Sequence, residues 1–302
     1  MASNDEIAKL IAALHDPQLE PVMRRRIGKR LAELGDPRPG VGLREDGLPE
    51  IEWLPVAGYV HEHLRQIVPL GGPQQAPQPF MQTITVRSFY VARYEVTNIQ
   101  FDAFVHALDG LPNQDWLRHL PAPFGELEMP SSRLANAARD DLSWVQAVAF
   151  TRWLYAVMPP DGWPSGAAED WQIRLPTFLE WERAFKPQTG ALPLPVGGNT
   201  LETQIHRSIP VGMYPHLAAS SGALDMLGNA AEWTLTRAAD AEGHYLLCGG
   251  SFLDPLEHAQ ALWRAIPADQ PMPGAGVRLV CAPPLRRADE GVDPPRGYRW
   301  LD

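Results

Sequence analysis

Prolines and glycines interrupt this chain along its whole length. There are 31 prolines and 25 glycines among 302 residues, and they follow no fixed period. Proline removes a backbone donor and ends or kinks helices, and both residues are unfavourable inside central strands. The chain therefore cannot build many long elements, and we expect a body of short helices and strands joined by many loops. No internal repeat is visible.

The charge balance argues against two classes of partner. The chain has 26 Lys and Arg residues against 36 Asp and Glu residues, a formal net charge of -10. Such a chain as a whole is a poor binder of nucleic-acid phosphates or of an anionic membrane, although a local basic patch remains compatible with it. No apolar run approaches the ~18 residues that a spanning helix needs, and the N-terminus lacks the basic start of an export signal. We therefore expect a soluble, cytoplasmic protein without nucleic-acid or membrane partners.

The first forty residues have a helical pattern of their own. Apolar residues at helical spacing predict two short amphipathic helices between residues 4 and 35, and Gly35 ends the second. The second helix carries a run of basic residues, namely Arg24, Arg25, Arg26, Lys29 and Arg30. Such a run is usually a solvated face, but these helices could also dock the protein to an acidic partner. We assign residues 1–40 to this helical segment.

Local signals predict further elements along the rest of the chain. Residues 64–80 are rich in Pro, Gly and Gln and predict a loop, whereas residues 84–91 alternate as a strand does. Capping residues predict the starts of three helices, at Thr97, Ser143 and Thr177. Residues 283–302 contain paired prolines and several arginines, and we expect an extended tail there.

Four motifs occur in order along the body. They are 89–98 (FYVARYEVTN), 174–182 (RLPTFLEWE), 224–233 (LDMLGNAAEW), and 249–252 (GGSF) followed by 276–279 (GVRL). Together they resemble the formylglycine-generating enzyme (sulfatase-modifying factor) family, a variant of the C-type lectin fold. The resemblance implies an α+β body with short twisted sheets, few helices and a high loop content, which agrees with the distribution of Pro and Gly. We assign residues 41–282 to this domain.

Charged residues in the first two motifs are interpreted as scaffold. Arg93 and Glu95 enter a helix among apolar residues, and structural ion pairs explain them better than catalysis does. Arg174 and Glu182 flank Trp181, an arrangement suited to a buried charge network.

The third motif matches a calcium site of the family. By resemblance the ligands are the side chains of Asp225 and Glu232 and the backbone carbonyls of Gly228 and Ala230. Calcium takes six to eight oxygen ligands, and carboxylates and carbonyls from a tight loop can supply them. The alternative is that the two carboxylates accept backbone N–H groups within the loop. The sequence favours neither interpretation over the other, and a structural calcium ion here is one of the two expectations.

The resemblance also implies where a redox centre belongs, and the chain lacks the ligands there. Enzymes of this family oxidise a substrate cysteine with a copper-binding cysteine pair just after the Gly-Gly-Ser motif, since soft sulfur holds Cu(I). Residues 252–260 contain no cysteine, and Cys248 and Cys281 lie elsewhere, in apolar flanks typical of buried thiols. A second branch needs a three-histidine iron site, and the N-terminal helices contain only His15. We therefore expect neither copper nor iron, and no catalysis of the family's kind.

Recognition is the function that remains without those ligands. The segment 252–275 follows the Gly-Gly-Ser motif, and a rigid body would display it as a binding surface. Trp and Arg, both present in it, are enriched at binding hot spots. The candidate ligand-binding residues are Phe252, Asp254, Glu257, His258, Trp263 and Arg264. We predict a non-catalytic protein that binds a protein or small molecule here; the alternative is a metal-dependent oxidoreductase of the same superfamily with a rearranged site.

Overall fold

The structure is a computed structural model of the chain. It describes residues 4–69, 78–111, 113–186, 198–238, 241–260, 263–285 and 298–301. In these ranges the helices are α1 (Asn4–Ala13), α2 (Pro21–Glu33), α3 (Asn98–His106), α4 (Trp144–Val157), α5 (Phe178–Phe185) and α6 (Leu256–Gln260). None of the helices described combines the length and the apolar composition needed to cross a bilayer.

Short strands form three sheets in the same ranges. The strands are β1 (Trp53–Val56), β2 (Tyr59–Pro69), β3 (Gln78–Val86), β4 (Phe89–Ala92), β5 (Gln172–Arg174), β6 (Ala231–Arg237), β7 (His244–Cys248), β8 (Trp263–Pro267), β9 (Ala275–Gly276), β10 (Val280–Ala282) and β11 (Tyr298–Leu301). Their orders are β1-β4-β10-β5, β11-β2-β3 and β8-β7-β6-β9. All neighbours are antiparallel except β6 and β9, which are parallel. The predicted α+β class with short sheets and few helices is confirmed.

Three helices of the body begin where their capping residues predict. Helices α3, α4 and α5 follow Thr97, Ser143 and Thr177, each of which is the N-cap. At the start of α4, Ser143 Oγ accepts from the Gln146 N–H at 3.2 Å, and Gln146 Oε1 accepts from the Ser143 N–H at 3.0 Å. These reciprocal bonds give partners to backbone donors that a helix start otherwise leaves free.

The predicted loop at 64–80 is partly strand, so that prediction is wrong for its two ends. Strand β2 continues to Pro69 and pairs with β3 over the whole span from Tyr59–Val86 to Ile67–Gln78, whereas residues 70–77 lie outside the described residues. Strand β11 pairs with the other edge of β2, and the predicted strand at 84–91 is divided between β3 and β4. Pairing of β2 with β3 on one edge and with the distant β11 on the other overrides the local composition here.

Helix α4 lies at the centre of the main core. Most of its side chains are buried, including those of Phe150 and Trp153. Trp144 stacks on Tyr245 of β7 with ring centroids 3.7 Å apart, and its indole Nε1 donates to the Thr234 carbonyl at 2.8 Å. Because α4 is buried on most sides, most of its residues are apolar. These contacts fix the sheet β8-β7-β6-β9 against the core, and this sheet carries the Gly-Gly-Ser motif.

The N-terminal helices pack on the body and share an apolar cluster with it. The buried side chains of this cluster are Leu14, Ile27, Leu31, Ile209, Met213 and Tyr214. Arg24 of α2 is also buried, and its Nη1 donates to the carbonyls of Leu14 and Met213 at 2.8 Å each. A Cβ added to Gly28 would lie 2.6 Å from a carbon of Pro210, so α2 approaches the body closely.

Candidate functional site

A buried arginine joins three of the four motifs. Arg278 is 0% exposed, and its Nε and Nη2 donate to Glu232 Oε1 at 2.8 and 2.6 Å. Its Nη1 donates to the carbonyls of Ala92 and Arg93 at 2.9 Å each, and Nη2 also donates to the Leu224 carbonyl at 2.6 Å. All three nitrogens therefore have acceptors, which is the condition under which a buried charge is tolerated.

Two further carboxyl groups lie near this pair. Glu95 is buried, and its oxygens accept from Asn229 Nδ2 at 2.6 Å and from the Ala230 N–H at 2.8 Å. Burial, together with the neighbouring charges of Asp225 and Glu232, raises the pKa of Glu95 well above its ordinary value. Glu95 is thus an acceptor within the scaffold, and its raised pKa favours the protonated form.

Asp225 has a left-handed backbone, with φ of 60°. Its Oδ2 accepts from the Gly212 N–H. Desolvation raises the pKa of Asp225 to about 6, against the lowering effects of that hydrogen bond and of the Arg278 charge. Like Glu95, Asp225 accepts a backbone hydrogen bond within the fold and has a pKa raised by burial.

Three of the four predicted calcium ligands, Asp225, Gly228 and Ala230, lie in the loop that leads into β6, and the fourth, Glu232, is the second residue of that strand. Glu232 offers no free oxygen in this arrangement, because Arg278 binds Oε1 and Oε2 accepts from Trp181 Nε1 at 2.5 Å. Within the described ranges, no group of three or more His, Cys, Asp or Glu side chains has the geometry to hold a metal ion. The donors as arranged do not fit calcium. The alternative of backbone N–H donors within the loop is not what the fold shows either, because Asp225 accepts from the Gly212 N–H outside the loop and Glu232 accepts from the side chains of Arg278 and Trp181. Calcium binding stays a prediction, and it requires Glu232 to leave Arg278.

The Gly-Gly-Ser motif turns the chain after β7. Gly249 and Gly250 have φ of 81° and 65°, in the left-handed region that favours glycine. A Cβ on Gly250 would lie 2.7 Å from the Ala259 Cβ, so the turn packs directly on α6. Ser251 and Phe252 follow at 0% and 3% exposure. Phe252 therefore anchors the segment in the core, and it would contact a ligand only if the segment moved.

Two of the predicted ligand-binding residues, Asp254 and Arg264, bind each other. Arg264 Nη1 lies 2.7 Å from Asp254 Oδ1, and Nη2 lies 3.3 Å from Oδ2. Asp254 Oδ2 also accepts from the N–H and Oγ of Ser251, at 2.8 and 2.9 Å. This bidentate pair ties the turn before α6 to strand β8 and fixes the position of both side chains.

The remaining predicted residues are exposed on the same part of the surface. Trp263 is 51% exposed and meets Phe178 of α5 edge to face, with ring centroids 6.5 Å apart. Glu257 and His258 lie on α6 with their side chains in solvent, 4.0 Å apart between Oε1 and Nε2. We call the exposed side chains of Leu253, Glu257, His258 and Trp263 the α6–β8 face.

Comparison with known proteins decides the family. The model of the sulfatase-modifying factor enzyme 1-like domain (FGE-sulfatase) matches residues 65–283. The chain belongs to this family. No curated protein is significantly similar to it in sequence.

Solved structures of similar fold agree with this assignment. Treponema denticola variable protein 1 is 19% identical, with 78% of this chain and 96% of that chain covered and a TM-score of 0.50. PvdO from Pseudomonas aeruginosa is 14% identical, with 81% and 99% covered and a TM-score of 0.51. At these identities the likeness shows the fold alone, which is the C-type lectin-like fold of the sulfatase-modifying factor family.

The two cysteines do not fit the copper site of this family's enzymes. Both are buried, Cys248 on β7 and Cys281 on β10, which belong to different sheets. Burial and the charge of Glu232 raise the pKa of the Cys248 thiol well above its ordinary value, and burial raises the pKa of Cys281 to about 12. Metal ligation and nucleophilic attack need the thiolate, which these environments disfavour.

Sequence interpretation missed the partners in the charge network. Arg174 pairs with Glu180, at 2.7 and 2.8 Å, and not with Glu182, which pairs with Lys186 at 2.7 Å. Thr177 and Glu180 form a capping box at the start of α5, a spacing that is visible in the sequence and from which the direction of the Glu180 side chain can be inferred. Arg278 was noted only as part of a motif, although a lone arginine in an apolar run is itself a signal of a buried ion pair.

Proposed function

We propose that this member of the family is a non-catalytic recognition protein that binds a protein or small-molecule ligand on the α6–β8 face. The observation that carries the proposal is the half-exposed Trp263, which lies beside Phe178 next to the fixed Asp254–Arg264 pair. This face follows the Gly-Gly-Ser motif, where the resemblance implies a catalytic cysteine pair and this chain has no cysteine.

The setting of Trp263 supports a role in binding. Strand β8 is at the edge of its sheet and pairs with β7 alone among the described strands. A tryptophan presents a large rigid surface, and such residues dominate the binding energy of many interfaces. Arg264, immobilised by Asp254, loses little further side-chain freedom when a partner binds.

The test compares two exposed aromatic residues. Trp263→Ala removes the centre of the α6–β8 face, whereas Tyr155→Ala removes a 40% exposed ring on α4 that meets Trp163 in the same edge-to-face manner. We expect Trp263→Ala to weaken capture of a specific partner from lysate about tenfold or more. Tyr155→Ala should leave it unchanged, and equal binding by both variants and the wild type would reject this face.

Metal analysis of the purified protein tests the alternative. Copper or iron bound in stoichiometric amount, and lost in Cys248→Ser, would replace the recognition proposal by the oxidoreductase one. The burial of both thiols, on strands of two different sheets, is what argues against that result.

A structural calcium ion in the loop before β6 is a separate prediction. If calcium binds there, it stabilises the folded state by mass action and raises the melting temperature. Asp225→Ala should abolish that rise, and Asp161→Ala, at an exposed carboxylate, should preserve it. A wild-type melting temperature that calcium leaves unchanged would show the prediction to be wrong.

A further inference from the structure

A cleft lined by basic side chains lies between α2 and the body, away from the α6–β8 face. Its volume is about 620 Å³. Helix α2 forms one wall, and residues 130–134 with Arg207 form the other. The lining residues are Val22, Arg25, Arg26, Lys29, Pro130, Ser131, Ser132, Arg133, Leu134 and Arg207. We call this the basic cleft.

Helix α2 divides its basic residues between two roles. Arg24 is buried and donates to backbone carbonyls, and Arg30 binds Glu6 at 2.8 Å and Glu33 at 3.3 Å. Arg25, Arg26 and Lys29 line the cleft. The basic run is therefore neither a uniform solvated face nor wholly structural, because part of it is directed to a second set of cations on the body.

The cleft holds five cationic side chains, and no acidic side chain is among its described lining residues. Arg25, Arg133 and Arg207 form no ion pair within the part of the chain that the structure describes, and the contact of Lys29 with Glu33 is long, at 3.9 Å. Asp140 is buried, and its Oδ1 accepts from the N–H of the lining residue Ser131 at 2.9 Å. It is tied to the cleft wall and leaves the arginines unneutralised.

Such a concentration of positive charge is unexpected in this chain. Because the net charge of the chain is -10, a generally basic surface does not explain why these cations lie together. Like charges brought together repel one another and destabilise the fold unless an anion lies between them. The walls are held rigidly, since Gly28 packs against Pro210 and its carbonyl accepts from Asn136 Nδ2 at 3.1 Å. The cleft is thus formed before any ligand arrives.

We propose that the basic cleft binds a compact polyanion, a small molecule that carries several clustered phosphate groups. The guanidinium group offers paired donors that match phosphate oxygens, and four of the five cations are arginines. The volume is that of a small-molecule site. A long polyanion would extend beyond the cleft over a chain whose net charge is -10, whereas a compact one stays within reach of the five cations. This site does not depend on the function proposed for the α6–β8 face.

Inorganic tripolyphosphate is the probe, and calorimetric titration of the full chain at low ionic strength is the measurement. Arg207→Glu removes one cation of the cleft, and its matched control is Arg237→Glu, an exposed arginine at the end of β6 outside the cleft. We expect the wild type and Arg237→Glu to bind equally and Arg207→Glu to bind about tenfold or more weakly. Arg133→Glu should repeat the loss, and added salt should weaken wild-type binding.

Several results would overturn the proposal. One is the absence of tripolyphosphate binding by the wild type, and another is equal binding by Arg207→Glu and Arg237→Glu. Single phosphate ions that bind as tightly as tripolyphosphate would contradict a site for clustered charge. A single-stranded oligonucleotide or an Asp-rich peptide that binds in an Arg207-dependent way, where tripolyphosphate does not, would assign the cleft to a polymer instead.

Discussion

Arginine side chains have opposite environments in the network around Arg278 and in the basic cleft. Arg278 is fully buried, and each of its nitrogens donates to an acceptor within 2.9 Å. Arg133 and Arg207 are exposed, and among the described residues neither has an ionic partner. The first arrangement is explained completely by the fold, whereas the second leaves solvent-exposed cations that are available to an outside anion.

Helix α2 shows the same contrast within two residues. Arg24 is 1% exposed, with its guanidinium bound to backbone carbonyls, and Arg25 lines the basic cleft. The amino-acid sequence alone does not distinguish these two neighbouring arginines. The distinction depends on which face of the helix meets the body, and it separates scaffold charges from charges available for binding.

Arg278→Met provides the largest test of this comparison. Removing the guanidinium leaves the buried Glu232 carboxylate without its counter-charge and three carbonyls without a donor. We expect a loss of about 3–5 kcal/mol in the free energy of unfolding, measured by urea denaturation. Arg207→Met, in the cleft, should change that free energy by no more than ~0.5 kcal/mol.

A protein destabilised this far can fail to fold, so a double variant completes the experiment. Glu232→Gln together with Arg278→Met removes both charges and should recover part of the stability, because no unpaired buried charge remains. Equal destabilisation by Arg278→Met and Arg207→Met would show that burial does not distinguish the two regions.

Local signals predicted the parts of the fold that local contacts build. Thr97, Ser143 and Thr177 cap helices through bonds to residues a few positions away, and their positions could be inferred from sequence. The strand residues 64–69 of β2 and 78–80 of β3 could not be inferred, because β2 gains its pairing from β3 and from residues 298–301. Composition rich in Pro, Gly and Gln indicated a loop where long-range pairing forms a sheet.

The candidate sites divide in the same manner. The resemblance located the Gly-Gly-Ser segment, and within it Asp254 and Arg264 meet as one pair. It did not predict that Phe252 is buried, since burial depends on packing between separate segments. The basic run on α2 indicated one wall of the basic cleft. The other wall could not be predicted, because Arg133 and Arg207 lie in segments with no sequence pattern of their own.

A smaller, pH-dependent effect should distinguish two buried carboxyl groups. Burial and the neighbouring Asp141 charge raise the pKa of Asp140, behind the cleft wall, from 3.8 to about 6. Burial would also raise the pKa of Asp36, but Arg38, whose Nη2 lies 2.7 Å from its Oδ2, lowers it below the ordinary value. The first carboxyl is held without a strong ion pair, and the second with one.

The two shifts have opposite signs in the pH dependence of stability. Asp140 binds its proton more tightly in the folded state, so its contribution is present below pH ~4 and is lost as the pH rises through about 6. Asp36 contributes above its unfolded pKa, and that contribution is lost as the pH falls through the lower folded value. In urea unfolding between pH 4 and 7, we expect Asp140→Asn to remove a fall of up to about 3 kcal/mol with rising pH. Asp36→Asn should leave the profile in this window nearly unchanged and should instead remove a gain with rising pH that lies below pH ~4. A profile between pH 4 and 7 that Asp140→Asn leaves unchanged would contradict the raised pKa of Asp140 and, with it, the absence of a strong ion pair at this carboxyl.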